Sequence, residues 1–427
     1  MSWLPGWKNR IKITIDSTNI DSDLTHFPLP IKLGTSVGMS DQDMTDIFDE
    51  VGSDYLKVAV TKSDGETQLY VEVEKWDDTG AKALLWASKD DWTVTSGVDS
   101  GIYIYFDSSV DDNTSYVGMA GSRTEVWNSD FVARCDLSSN ADDSTINGLD
   151  GTPSSISYVI GQLGNAADFD KGDYIDFGNV AAFKPTTALS IFIWFATDVV
   201  SPSDWPRIFD FKETDGGPSK GYGCFQSSGG NIYCKINNTN LSTSISDTNW
   251  HRLVYTYSKA DEKFIVYLDG DQVNSTTLSQ NIDYSGCHRL NLGNYNNNAS
   301  SITRYDGSLD EFVFSDTAFS AAWIKSDYYA QTDDLLTFGD VERLIYYFTG
   351  YVYEENNSSP VSRTVRIYNR DTGDLIGSTT SSGNGYYYIE TTYSGSHYLV
   401  ALDDNTGTQY NLAVLDRMAP AVTTISG

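Results

Sequence analysis

DTNWHRLVYTYSKADEKFIVYLDGDQV, residues 247–273, is the stretch on which the fold turns. After Trp250 the chain alternates Leu253, Tyr255 and Tyr257 with Val254 and Thr256, the two-residue period of a strand with two distinct faces. A polar break at Ser258–Lys263 follows, and Phe264–Leu268 returns as a second strand. Asp269-Gly270 then predicts a tight hairpin turn, because Gly and Asp tolerate the positive φ that such turns need.

The same grammar extends in both directions. AADFDKGDYIDFG (166–178), LSIFIWFATD (189–198), GYGCFQ (221–226), NIYCKIN (231–237) and LDEFVFSD (309–316) are short alternating runs separated by Gly, Asn and Asp. Strands at this density, without apolar stripes at helical spacing, predict an all-β chain of serial β-sandwiches. In GYGCFQSSGGNIYCKI a three-residue loop, Ser228-Gly229-Gly230, places Cys224 opposite Cys234 on a hairpin. The 427 residues exceed one ordinary core, and three modules are expected: 1–125, 126–335 and 336–427. In the first, RIKITID (10–16), LTHFPLPIKL (24–33) and GIYIYFD (101–107) are strands, and SVGMSDQDMTDIFDEVGSD (36–54) has the one helical look. DYYAQTDDLLTFGDVERL (327–344) reads as a short helix and a linker.

Charge narrows the function classes. Fifty-nine acidic against 28 basic residues give a net charge of −31, a field that repels nucleic acid and anionic membranes. No apolar run is long enough to span a bilayer, so membrane insertion is not expected. The N-terminal MSWLPGWKNR lacks a cationic leader followed by an apolar core, which predicts synthesis in a cytoplasm without a signal peptide. Reducing synthesis argues against a Cys224–Cys234 disulfide.

Catalytic constellations are missing. Glycoside hydrolysis needs two carboxylates about 5–9 Å apart across the sugar. Glu72 and Glu74 alternate on one face but lie in the first module, while the adjacent Asp310 and Glu311 are expected on opposite faces of a strand. None of the four histidines has a G-x-S-x-G elbow to serve, and no Gly-rich loop opens a helix to hold a phosphate. The chain reads as a non-enzyme. Aromatic residues in or beside loops, Trp205, Tyr222 and Tyr295, are the candidates for stacking on a sugar ring.

DDSTINGLDGT (142–152) is the candidate metal loop. Asp143-x-Thr145-x-Asn147-Gly148 imitates the first half of an EF-hand, but its twelfth position is Ser154 instead of a bidentate Glu. The alternative is an Asx turn satisfied by its own backbone.

Several motifs resemble known families. AADFDKGDYIDFG, LSIFIWF, NWHRLVYTY, YLDGDQV, YDGSLDEFVFSDTAFS and AAWIKSDY are similar, in that order, to laminin-G-like domains, which implies a concanavalin A-like jelly roll. In that resemblance the 143–152 loop and the late G-x-L-D-E strand contribute oxygens to a structural calcium. The implied ligands here are Asp143, Asn147 and Asp310, although Ile146 and Leu149 depart from the usual Gly and Asn. GWKNRIKITID, LTHFPLPIKL, GIYIYFD and EVWNSDFVARCDLS (125–138) resemble a domain of unknown function that commonly precedes laminin-G-like domains in bacterial and phage proteins. PVSRTVRIYNRDTGDLIGSTTSSGNGYYYI (360–389), with HYLVALDD and YNLAVLDRMAP, is similar to carboxypeptidase-regulatory or transthyretin-like modules, and to C-terminal domains of phage virion proteins in particular.

Together the resemblances imply a structural component of a phage virion: a head fibre, a decoration protein or a tail-associated adhesin. Its partners would be other virion proteins and a host surface glycan. A homo-oligomer is expected, for which a trimer fits although no heptads specify it. The competing reading is a bacterial cell-surface or secreted glycan-binding protein.

Overall fold

The structure is a computed structural model, and it describes residues 2–118, 122–212, 220–294, 304–354, 359–391, 393–403 and 413–426. The chain is almost entirely β and divides into two compact units. One comprises Met1–Leu4 and Ile13–Gly339, and the other Pro5–Lys12 and Asp340–Gly427. The first two modules expected from sequence therefore pack into a single unit. No helix among the described residues is long and apolar enough to cross a membrane.

The larger unit contains a two-layer sandwich. One sheet orders the strands Ser157–Ile160, Asn165–Phe169, Gly307–Ser315, Ala188–Thr197, His251–Ser258, Lys263–Leu268 and Asp271–Thr277, and Phe131–Cys135 pairs along Gly307–Ser315 as an eighth. The facing sheet orders Thr152–Ser154, Tyr174–Gly178, Leu290–Leu292, Arg207–Lys212, Gly221–Ser227, Asn231–Ile236 and Thr239–Ser244. Their inner faces interlock through Ile191, Phe209, Tyr222, Tyr255, Phe264 and Phe314, all buried.

The stretch 247–273 behaves as its sequence predicts, with one addition. His251–Ser258 and Lys263–Leu268 form an antiparallel hairpin in register Leu253↔Leu268 through Ser258↔Lys263. Asp269 (φ 53°) and Gly270 (φ 83°) carry two consecutive positive φ angles, the mark of a type I′ turn. The addition is that Val254 and Thr256, on the face away from Tyr255, are buried too. The helix Ala321–Gln331 supplies part of the cover for that outer face. Ser320 caps its start by accepting from the Trp323 amide, Trp194 stacks on Tyr328, Phe192 meets Trp323 edge-on, and Arg252 pairs with Asp327 at 3.1 Å.

Ahead of the sandwich in the chain lie further paired strands. Leu29–Leu33, Lys82–Ser88 and Tyr70–Asp77 are antiparallel neighbours, with Val117–Gly118 added in parallel. Val58–Thr61 pairs with Ser100–Phe106. The helical look of 36–54 resolves into one short helix, Thr45–Val51, which buries Ile47, Phe48 and Val51.

The smaller unit is a second, smaller sandwich. Leu375–Thr380, Thr364–Asn369, His397–Ala401 and Ala413–Met418 form one sheet. In the other layer Tyr346–Tyr351 pairs with Tyr386–Thr391, and Glu342–Tyr347 pairs with Ala421–Ser426. Its core comprises Phe348, Val365, Ile367, Tyr387, Ile389 and Leu399. The segment read as a linker is instead part of a sixteen-residue strand, Leu336–Tyr351. Its alternation is masked in sequence by Gly339, Asp340 and Glu342.

Candidate functional site

Asp143, Asn147 and Asp310 were the implied calcium ligands. The Asp143 carboxylate accepts from the amides of Arg134 (3.0 Å) and Thr145 (2.9 Å) on Oδ1, and from the Leu149 amide and the Thr145 hydroxyl (2.8 Å each) on Oδ2. A carboxylate offers about four lone-pair sites, so its acceptor capacity is filled. Asn147 turns its amide inward, donating to Val132 O at 3.0 Å. Asp310 lies elsewhere, accepting from the Leu163 amide at 2.9 Å. Among the described residues no three His, Cys, Asp or Glu side chains are grouped to hold a metal ion. The donor set as arranged does not fit calcium. It fits the hydrogen-bonded turn that was the alternative.

Asp310 belongs to a different constellation, centred on Arg134. The Arg134 Nη2 donates to both oxygens of Glu311 (2.8 and 2.7 Å) and to Glu74 Oε2 (2.5 Å), while Glu72 stands 3.6 Å from Nη1. Trp127 donates its indole N–H to Glu72 (2.7 Å) and Trp86 donates to Glu74 (2.8 Å). The guanidinium sits 4.9 Å from the Trp86 ring centre and 5.0 Å from that of Trp127, within cation–π range. Ser144, in the turn described above, donates to Glu72 at 2.5 Å.

Two irregularities bring these acids together. Glu311 has φ 51° and the pairing of Ala188–Thr197 with Gly307–Ser315 slips between Phe192 and Trp194, so simple alternation fails. Glu74 falls where the ladder with Lys82–Ser88 shifts between Val73 and Lys75. The expectation that Asp310 and Glu311 diverge is thereby corrected: Leu309 and Phe312, three residues apart, both enter the core and leave the two acids on the other face. Burial raises the carboxyl pKa values, opposed by Arg134. Glu74 is pushed up to about 7, and Asp310 and Glu311 well above the carboxylate range. The side chains of Arg134, Glu74 and Glu311 have almost no solvent contact, so the cluster is a sealed tie and offers no substrate an entrance.

An exposed site lies on the outer face of the seven-stranded sheet. Tyr222 and Cys224 point to the core, so Phe225 points out, and the hairpin register Phe225↔Tyr233 sets Tyr233 beside it. Those two rings stack at 5.2 Å and 11°, and Trp205 closes the group at 5.6 and 5.9 Å. Trp205 is 51% exposed. The Arg207 guanidinium lies 4.6 Å over the Phe225 ring.

Asp204 and Pro206, the neighbours of Trp205, line a cavity of about 250 Å³ together with Lys171, Thr197, Gln226, Arg304 and Asp306 among others. Gln226 fixes its wall: its amide donates to Val199 O and Val200 O (2.9 Å each), and its Oε1 accepts from the Thr197 hydroxyl (3.0 Å). Lys171 approaches Asp306 at 3.5 Å. Beyond the aromatics a polar row, Asp176, Asn291, Asp210, Gly223, Lys235 and Asn240, crosses the same face as successive register partners. Asn291 is fully buried, and its amide atoms have no hydrogen-bond partner among the described residues.

Of the three aromatic candidates, Trp205 is thus exposed, between two residues that line the cavity. Tyr222 is corrected to a core residue: it is fully buried, its hydroxyl donates to Phe183 O at 3.1 Å, and its ring packs on Phe211 and Phe314. Tyr295 lies outside the described residues. Phe225 and Tyr233 were not singled out from sequence, although the Ser228–Gly230 loop already fixed them opposite one another. On that hairpin Cys224 and Cys234 do face each other, as free thiols with sulfurs 3.9 Å apart.

Residues 169–325 match the family model described as the concanavalin A-like lectin/glucanases superfamily. No curated protein matches the sequence. Among solved structures, the fourth domain of an extracellular arabinanase from Geobacillus stearothermophilus, in complex with arabinotriose, is 15% identical with TM-score 0.35, covering 46% of this chain and 96% of that one. The binding domain of Paraclostridial Mosquitocidal Protein 1 is 11% identical with TM-score 0.38, covering 69% and 75%. A sialidase carbohydrate-binding module of Ruminococcus gnavus, bound to α2,3-sialyllactose, is 12% identical with TM-score 0.31, covering 35% and 85%.

Proposed function

We propose that this chain is a non-catalytic glycan-binding protein whose sugar site is the exposed Trp205 ring and the cavity lined by its neighbours Asp204 and Pro206. The observation that carries the reading is the half-exposed Trp205 ring, braced by Phe225 and Tyr233, next to a cavity lined by Thr197, Asp204, Arg304 and Asp306. A sugar ring presents an apolar C–H face and a belt of hydroxyls. An aromatic platform beside convergent donors and acceptors complements both. The sealing of the Arg134 carboxylate cluster supports the non-catalytic part, since acid–base chemistry on a glycan requires the acids to reach it.

The wider reading is a structural component of a phage virion that contacts host surface glycan, and its support is the sequence likeness of residues 360–420 to virion proteins. Titration of the full chain against a panel of soluble oligosaccharides tests the binding. Binding should appear for at least one glycan and weaken ~30-fold in Trp205→Ala, the loss of one central aromatic anchor. Absence of binding across neutral and acidic glycans, or binding indifferent to Trp205→Ala, overturns the site. Mass spectrometry of purified particles tests the virion role, and absence of the chain from them overturns it.

A further inference from the structure

A chain with 59 acidic and 28 basic residues gathers three lysines around one cavity of the larger unit. Register puts them there. Leu84, in the strand Lys82–Ser88, stands between Lys32 of Leu29–Leu33 and Lys75 of Tyr70–Asp77, so all three share one face of that sheet. Lys82 precedes Leu84 by two residues and joins the same face. The cavity they line holds about 330 Å³, and Thr35, Gln162 and Ile160 line it as well. Among the described residues its lining holds no carboxylate and no arginine. Lys82 and Thr35 are exposed, as is Ile160 at 86%, so solvent reaches it. Neither Lys75 nor Lys82 forms an ion pair among the described residues. Lys32 donates to Gln331 O at 3.0 Å, which uses one of its three N–H bonds. Burial draws the Lys32 pKa below the ordinary lysine value, against the opposing pull of Asp333, Asp334, Asp310 and Glu74. Three like charges around one cavity repel one another, and an anion between them relieves that repulsion.

We propose that this cavity binds a tetrahedral oxyanion, a phosphate or sulfate group, carried on a small organic body such as a sugar. An ammonium is a compact point charge with three rotatable donors, and several of them can meet a tetrahedral anion from different sides. A planar carboxylate is matched instead by the two-pronged fork of arginine, which this lining lacks. The Thr35 hydroxyl and the Gln162 amide add uncharged donors. The volume lies in the range of small-molecule sites, roughly 300–1,000 Å³, and leaves room for more than a bare ion. Ile160 and Leu84 offer apolar surface to the organic part. The net charge of −31 opposes anions at long range, so capture here depends on the local concentration of lysine. None of the residues invoked belongs to the Trp205 site, and the proposal stands apart from the glycan reading.

Isothermal titration calorimetry of the full chain at low ionic strength tests it, with glucose 6-phosphate, inorganic phosphate, inorganic sulfate, glucuronate and glucose as probes and circular dichroism to verify folding. Glucose 6-phosphate should bind at least ~30-fold more tightly than glucose, and Lys75→Gln and Lys82→Gln should each weaken it ~10-fold by removing one charged donor. Lys263→Gln, an exposed lysine outside the cavity, should leave it unchanged. Tighter binding of the ester than of inorganic phosphate supports a sugar-borne group, and equal binding supports the free anion. No binding of the ester, phosphate or sulfate, or binding indifferent to both cavity variants, overturns the proposal. So does equal loss in Lys263→Gln, or glucuronate binding as tightly as the ester.

Discussion

Replacing Glu74 by Gln tests the physical account of the Arg134 cluster. Glu74 titrates at about 7 in the fold against an ordinary 4.5, because burial disfavours its ionised form more than Arg134 restores it. Its folded pKa is raised, so the folded state holds the proton more tightly than the unfolded chain. The stability this contributes is fully present below about pH 4.5 and is lost as pH rises through 7. Ten-fold per pH unit is about 1.4 kcal/mol, so a rise from 4.5 to about 7 corresponds to about 3 kcal/mol. Glutamine keeps the shape and cannot ionise. The stability difference between Glu74→Gln and wild type should therefore move in favour of the variant by about 3 kcal/mol between pH 4.5 and pH 8. Urea unfolding followed by tryptophan emission is the assay, since Trp86 and Trp127 contact the cluster directly. A difference that stays constant with pH would refute the claim that Glu74 is protonated in the native cluster near neutrality.

Other outcomes follow from the same geometry. Arg134→Met should destabilise by ~3–5 kcal/mol at neutral pH, less in acid where the stranded carboxyls take up protons, as read from thermal melts at several pH values. Adding calcium or a chelator should leave the melting midpoint unchanged, because Asp143 has no acceptor site left, whereas Asp143→Ala should lower stability by ~3 kcal/mol through loss of four hydrogen bonds. Tyr222→Ala should cost on the order of 3–5 kcal/mol of stability, while Trp205→Ala should cost below ~1 kcal/mol and act on glycan binding instead. Native protein should resist thiol reagents at all four cysteines and react fully once denatured, since all four are buried and burial raises the Cys135 and Cys224 thiol pKa values.

What the sequence disclosed follows from which interactions are local. Alternation and the Asp269-Gly270 turn are properties of neighbouring residues, so the 247–273 hairpin and the Cys224–Cys234 apposition were legible at the level of register. The turn around Asp143 was legible as an alternative to calcium, because Asx geometry is decided within a few residues. The Arg134 cluster was not. Its acids come from strands some 240 residues apart, and a slipped register and a positive φ at Glu311 undo the rule that adjacent residues diverge. Tyr222 failed for a different reason: it stands at the start of the strand read at 221–226, beside a loop, and local sequence did not show that its ring takes the inward face. Leu336–Tyr351 escaped as a strand because its charged positions face solvent or, like Glu342, find a private partner in Arg10 at 2.7 Å.

The Arg134 tie also bears on how such a protein changes over generations. Glu72 and Glu74 belong to the first segment of the chain, and Arg134, Asp310 and Glu311 to the second. Exchange of the laminin-G-like segment alone between related genes would strand either an arginine without its acids or acids without their arginine. Recombination is therefore penalised at the boundary between the two segments. The loops around Trp205 hold none of the tie's residues, so substitutions there leave it intact.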